Sequence, residues 1–375
     1  MSLIDLITEK LIKNSKPYQL ELGSYQIRTA RLLQNQENFI CDELAAISTP
    51  LNTSFSSFSG SVNFEPDAIS ESISKILKKN RFIERYVALV LPDQAFCFGS
   101  FSVPAVAARA GIQPLLEREI KKTAFYDFKD LIVRYELGAR NNNQISVFFA
   151  ALPYKTMQLI QQICENSNLV PVSVQPTISG LTRLMKTCFP EAKHPVVFLH
   201  FGNEAVTAAI YKNEGLLQVQ VIEIGVRDLR NRLIEDMGLT YEDADNRLSE
   251  NLILLDDPST DAQLEIPEYA ILESVFASLL QRIYGYLLLF SNDHPEETGF
   301  TRIVLSGGGS RIKNIDKLIS ANLGITTTLL SQELEGKLKI VGKEAFQDIE
   351  LFMPLFGNAM LKPWLTDRFE RIFSS

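Results

Sequence analysis

Four cysteines, three histidines and one tryptophan are all that the chain carries of these types in 375 residues. Cys41, Cys97, Cys164 and Cys188 lie far apart with no Cys-x-x-Cys pair, and His194, His200 and His294 share no metal-ligand spacing. Structural zinc and a disulfide framework are therefore excluded, and a reduced compartment is expected. Basic charge is also short: 37 Lys and Arg stand against 45 Asp and Glu, a formal net charge of −8, with no basic stripe interleaved with aromatics. That balance disfavours a nucleic-acid partner. No uninterrupted apolar run of about 18 residues suggests a membrane span. Asp5 and Glu9 interrupt the N-terminal apolar positions, which argues against a secretory signal. These absences lead to the expectation of a soluble cytoplasmic protein.

What is present is organised around Ile303-Val304-Leu305-Ser306-Gly307-Gly308-Gly309-Ser310-Arg311. An apolar, β-branched run ends in three glycines, and helical spacing follows at Ile312, Ile315, Leu318 and Ile319. The pattern predicts strand, glycine turn, helix. Glycines allow positive φ and close approach of a flat ring or phosphate, and a following helix supplies unpaired amide donors. A plain βα connection without a ligand fits the same residues.

Roughly 150 residues per domain gives two or more domains for this length. Tyr18 to Leu22 alternates like a strand, Gly23-Ser24 turns, and Ile27 to Leu33 forms a second strand. The pattern returns with Val196 to Phe201, Gly202-Asn203, Val206 to Tyr211 and a third strand from Leu216 to Ile222. Aligning Gly23 with Gly202 places Leu20 on Leu199, Leu22 on Phe201 and Ile27 on Val206. This weak repeat predicts two related α/β domains whose hairpin tips face one another and grip a phosphate chain between them. The segment from 85 to 170 mixes strands and helices without glycine tips and reads as an inserted α/β subdomain. A helix from Val226 to Met237 stops at Gly238, Thr240 with Asp243 has capping-box spacing, and a long helix covers Tyr269 to Phe290. Residues 1 to 14 place Leu3, Ile4, Ile7 and Leu11 on one helical face. The tail from Leu361 places Trp364, Leu365, Phe369, Ile372 and Phe373 opposite its charged residues, a face for packing on the body or for a partner or membrane.

Two glycine-tipped hairpins, an insert and a late triple-glycine turn resemble the actin-like ATPase superfamily. The best match within it is the type IV pilus assembly PilM family, related to FtsA. The residues that carry the likeness are Leu199-His200-Phe201-Gly202 through Thr207, Ile222-Glu223-Ile224-Gly225, Gly238 through Asp245, and Ile303 to Arg311. The resemblance implies an actin-like, ribonuclease H-like duplicated fold. Domain I covers 1–84 and 171–190 and is rejoined by 346–361, an FtsA/PilM-type insert covers 85–170, domain II covers 191–345, and the tail is 362–375. It implies a cytoplasmic adaptor at the inner face of the inner membrane. Such an adaptor captures the N-terminal peptide of a PilN-like inner-membrane protein, works with other pilus assembly proteins and meets the membrane through its partner. Extended-peptide capture relies on backbone hydrogen bonds and pockets, so no charged motif announces it. The ligand implied is ATP or ADP with Mg²⁺, held by Gly23, Ser24, Arg28, Gly202, Asn203, Thr207, Gly307, Gly308, Gly309 and Arg311, with Glu21 on the metal.

Hydrolases of the superfamily place an aspartate before each tip glycine and a lysine beyond the first. Here Glu21, His200 and Arg28 stand at those positions, Leu248 stands where a lysine is usual, and Glu204 adds negative charge within the second tip. Imidazole is a poor Mg²⁺ ligand, and an acid facing a phosphate repels it. The expectation is a degenerate site with no catalytic residue, in which nucleotide binds but is hydrolysed weakly or not at all. The alternatives are an FtsA-like filament protein anchored by its tail, a small-molecule kinase of the same superfamily, and the cytoplasmic half of a secretion component. The chain's end at Ser375 without a span favours a separate protein over the last of these.

Overall fold

A computed structural model describes residues 18–35, 38–56, 63–80, 85–106, 111–123, 126–141, 143–212, 215–248, 254, 266–295, 297, 299–337, 339–342 and 349–360. The N-terminal amphipathic segment and the tail bearing Trp364, Leu365, Phe369 and Phe373 lie outside the described residues.

Strands β1 (Tyr18–Leu22) and β2 (Gln26–Asn35) form the first hairpin, and β3 (Asn38–Ser48) continues it antiparallel. Helix α1 (Pro66–Lys79) leads to β4 (Tyr86–Leu91), parallel to β1. The chain then builds β5 (Cys97–Pro104), α2 (Gln113–Thr123), β6 (Leu131–Asn141) and β7 (Gln144–Pro153), whose strands form a separate antiparallel sheet in the order β5-β7-β6. It returns through α3 (Tyr154–Asn166) to β8 (Val170–Pro176), parallel to β4, and continues into α4 (Thr177–Cys188).

The second lobe repeats the scheme. Strands β9 (Val196–Phe201), β10 (Val206–Lys212) and β11 (Gly215–Ile222) run antiparallel, and α5 (Val226–Met237), α6 (Tyr241–Asn246) and α7 (Pro267–Asp293) follow. Strand β12 (Arg302–Ser306) lies parallel to β9, and α8 (Ile315–Leu323) leads to β13 (Thr327–Leu329), parallel to β12. Helix α9 (Leu330–Leu334), strand β14 (Lys339–Gly342) and helix α10 (Ile349–Ala359) bring the chain back to the first lobe, where β14 pairs with β3. The main sheets run β14-β3-β2-β1-β4-β8 and β11-β10-β9-β12-β13. With edge strand β14 set aside, both follow one winding: third, second and first hairpin strands, then two parallel strands.

Central strands such as Tyr18–Leu22 and Val196–Phe201 are buried almost throughout, because helices cover both faces of each sheet. The stops and caps are local. Gly238 takes φ +65° after α5, and the Thr240 hydroxyl accepts from the Asp243 amide at 3.1 Å before α6. Each lobe has its own apolar core, and a third core lies between them. There Ile178, Leu181 and Leu184 of α4 and Met353, Leu355 and Phe356 of α10 meet Ala30, Phe198, Ala209 and Val304 from the two sheets.

The structure departs from the sequence reading in two places. Residues 86–91, assigned to the insert, are β4 of the first sheet, and Met157, Ile160 and Ile163 of α3 belong to the first lobe's core. The separate sheet spans only β5 to β7. Strands β3 and β6, whose polar residues blur their alternation, were not foreseen. Helix α7 is by length and composition long and apolar enough to cross a membrane, although Glu273 and Arg282 interrupt its apolar run. One of its faces, with Leu272, Phe276, Leu279, Ile283 and Phe290, is packed in the second lobe's core.

Candidate functional site

The two hairpin tips are built alike. The Gly23 amide donates to the Gln26 carbonyl at 3.2 Å and the Gly202 amide to the Ala205 carbonyl at 3.0 Å. A Cβ on either glycine would stand 2.6 or 2.9 Å from that same oxygen, so only glycine fits. Between the tips is a cleft lined by Glu21, Gly23, Ser24, Arg28, Gly202, Asn203, Thr207, Gly307, Gly308 and Arg311. The structure therefore brings together every nucleotide-site candidate except Gly309.

The third loop explains the exception. Gly307 takes φ +88°, and a Cβ there would meet the Phe201 carbonyl at 2.6 Å. Gly308 is open toward the cleft, with only Leu351 Cδ2 near, at 3.7 Å. Gly309 lies under the Phe201 ring, where a Cβ would fall 2.3 Å from Cγ. Its absent side chain serves packing. Residues Gly308–Arg311 form a 3₁₀ turn, stapled by the Ser310 hydroxyl donating to the Gly307 carbonyl at 2.7 Å, and α8 starts only at Ile315. The expected helix N-terminus directly behind the glycines is thus displaced by a turn.

Charge in the cleft is mostly buried. Glu21 is 5% exposed; burial raises its pKa, opposed by Arg28, whose Nη1 donates to Oε1 at 3.1 Å. Its Oε2 accepts no hydrogen bond. His200 pairs through Nδ1 with the Ser306 hydroxyl at 2.9 Å, and burial, helped by the nearby Arg28 cation, lowers its pKa to about 3. It is a neutral imidazole at any working pH. Glu204 does not face the cleft as its place in the tip suggested. Its carboxylate turns inward to accept from the Phe55 amide at 3.3 Å, Gln94 Nε2 at 3.0 Å and the Arg227 guanidinium. Arg247, close in sequence to Asp245, pairs with Glu268 at 2.6 Å.

Residues 19–361 match the type IV pilus assembly protein PilM family. The chain belongs to the PilM family. Among solved structures, a PilM-PilN type IV pilus biogenesis complex aligns with TM-score 0.75 at 17% identity, covering 92% of this chain and 98% of that one. MreB5 of Spiroplasma citri bound to AMPPNP aligns with TM-score 0.51 at 9% identity, covering 95% and 99%. The fold is actin-like. No curated protein sequence matches the chain.

Among the cleft residues of this PilM-family chain that escaped the sequence reading as site residues are Tyr25, Asp93, Arg230 and Asp245. Asp93 follows β4 and is 2% exposed; its Oδ1 accepts from the Ile178 amide at 2.9 Å, Oδ2 has no partner, and burial raises its pKa to about 7. Its signal was available, since the carboxyl ends of parallel strands line the crevice in open α/β sheets. Tyr25, Arg230 and Asp245 meet in the wall of the cleft. Tyr25 Oη donates to Asp245 Oδ2, and Arg230 forks onto Asp245 Oδ1 at 2.9 and 2.7 Å. Asn203 Nδ2 joins the tips directly by donating to the Ser24 hydroxyl at 3.1 Å.

Proposed function

We propose that the chain is a cytoplasmic actin-like adaptor at the inner face of the inner membrane. It engages the N-terminal peptide of a PilN-like inner-membrane protein in type IV pilus or related secretion machinery. The family match across residues 19–361 carries this reading, and the likeness in fold to the PilM-PilN complex supports a PilN-like partner. Attachment to the membrane runs through that partner, and the apolar tail residues Trp364, Leu365, Phe369 and Phe373 supply a second contact, to partner or lipid.

The cleft binds ATP or ADP and turns it over slowly or not at all. Nucleotide-bound MreB5 shares the fold, and Gly23, Gly202, Gly307 and Gly308 line the cleft with backbone, Gly308 with open space beside it. The second tip offers the neutral His200 where a hydrolase has a carboxylate, which weakens metal-assisted cleavage. Glu21 Oε2 and Asp93 Oδ2, buried oxygens without donors in one cleft, fit a hard cation. Mg²⁺ held there would neutralise phosphate charge, with Arg28 as the nearby fixed cation.

Calorimetric titration tests both halves. A peptide from the cytoplasmic N-terminus of the PilN-like protein of the same genome is expected to bind at micromolar affinity, and its failure to bind sinks the adaptor reading. MgATP is expected to give heat that disappears in Gly308→Asp, since that position has room for a side chain and an aspartate there puts negative charge beside the phosphates. No heat at millimolar MgATP ends the nucleotide reading.

A further inference from the structure

We propose that the cleft is latched shut by the chain's own side chains, and that a nucleotide must displace this latch to bind. The inference rests on the nucleotide reading above and adds what regulates access to that site.

The latch joins the lobes where the two tips touch through side chains. Ser24 and Tyr25 belong to the first tip, while Asn203 of the second tip, Arg230 of α5 and Asp245 of α6 belong to the second lobe. Asn203 donates to Ser24 at 3.1 Å, and its Oδ1 accepts from Arg230 Nη1 at 3.2 Å. Both carboxylate oxygens of Asp245 are engaged, Oδ1 by the Arg230 fork and Oδ2 by the Tyr25 hydroxyl. Arg230 is 1% exposed, and its guanidinium lies 5.0 Å from the Tyr25 ring centroid and 4.7 Å from that of Tyr241. A cation so buried is held only where a carboxylate and aromatic faces replace its water. These lining side chains thus satisfy one another.

The rest of the second tip is fixed as well. Amides of Val226 and Arg227, at the start of α5, donate to the Gly202 and Asn203 carbonyls at 3.1 and 2.8 Å, and Glu204 holds the Phe55 amide and Gln94 of the first lobe. The tip therefore does not yield independently, and a polyphosphate between Gly23 and Gly202 separates Ser24 from Asn203 and Tyr25 from Asp245. Apparent affinity is then the intrinsic affinity reduced by the fraction of molecules with the latch open.

Two variants test this. Tyr25→Phe keeps the ring over Arg230 and removes only the hydroxyl that binds Asp245. Ser24→Cys with Asn203→Cys puts two thiols where the native side chains meet at 3.1 Å, for oxidation to a disulfide that thiol titration verifies, and all four native cysteines are buried, away from a mild oxidant. With a fluorescent methylanthraniloyl derivative of ATP and Mg²⁺ as probe, Tyr25→Phe is expected to bind at least about tenfold tighter than the native chain, the lower end of what a hydrogen bond to a charged group carries. The oxidised double variant is expected to lose binding and regain it on reduction. Equal affinity for native chain, Tyr25→Phe and oxidised pair overturns the latch while leaving the nucleotide reading intact. Amide hydrogen exchange reads the latch without ligand: faster exchange at residues 22–28 in Tyr25→Phe supports it, and unchanged exchange overturns it. Faster exchange with no probe binding in any form supports the latch and ends the nucleotide reading.

Discussion

Asp93 holds the Ile178 amide at the start of α4 with one oxygen while burial raises its pKa to about 7. An unfolded aspartate ionises near pH 3.9. Between about pH 4 and 7 the folded chain keeps this proton while the unfolded chain has lost it, so folding stability falls as pH rises through that window. Asp93→Asn keeps an acceptor for the Ile178 amide and has no proton to lose. The variant is expected to be more stable than the native chain at pH 8, with about 4 kcal/mol as a ceiling for a three-unit shift, and to match it at pH 4. Melting temperatures at the two pH values check this, and an equal offset at both would contradict it. His200 presents the opposite sign: burial holds it neutral down to about pH 3. Its ring signals in NMR, assigned with His200→Gln, are expected to hold still from pH 8 to pH 5, and an inflection near 6.5 would show that the ring is hydrated.

Helices α4 and α10 cross in the layer between the lobes, and they touch through glycine. A Cβ on Gly357 would stand 2.0 Å from the Gly180 carbonyl oxygen and 2.9 Å from its Cα. Both neighbours are backbone, so neither moves without shifting a helix. Gly357→Ala is expected to destabilise the chain by about 1–3 kcal/mol or more through overpacking. Gly285→Ala on α7, where a Cβ meets nothing within 4 Å, serves as the control and is expected to gain about 0.5–1 kcal/mol from helix propensity. Thermal denaturation of the pair separates close packing from propensity, and a gain in both would refute the contact. Elements of this kind divide what a sequence reveals. The tip glycines and the strands flanking them were legible because alternation and turn chemistry are local, and the same pattern recurs at Gly23 and Gly202. Gly180 and Gly357 were not, because an isolated glycine inside a helical pattern gives no sign of the helix it will meet. β4 was misassigned for a related reason: its apolar run reads as a strand, but the choice between β1 and the insert as its neighbour is made by the fold.

At the scale of the whole molecule the lobes are joined by contacts between residues more than a hundred positions apart, which no local pattern announces. Glu204 is the clearest case. Read along the chain, it is an acid placed against a phosphate; in the fold its carboxylate draws the Phe55 amide and Gln94 from the first lobe and Arg227 from its own. Glu204→Gln keeps one acceptor oxygen but points an amide at a set of donors, leaving at least one buried donor unmatched, a loss of about 1–3 kcal/mol. Because that loss falls on the seam, it lowers the coupling between lobes as well as total stability. Scanning calorimetry is expected to show the Glu204→Gln transition at lower temperature and broader than that of the native chain, as the lobes unfold less in concert. Arg227→Ala is the companion: Arg227 sits on the same lobe as Glu204, so its loss is expected to lower the transition without broadening it. Equal broadening in both variants would place the cooperativity in the α4–α10 layer alone and reduce Glu204 to a local anchor of the second tip.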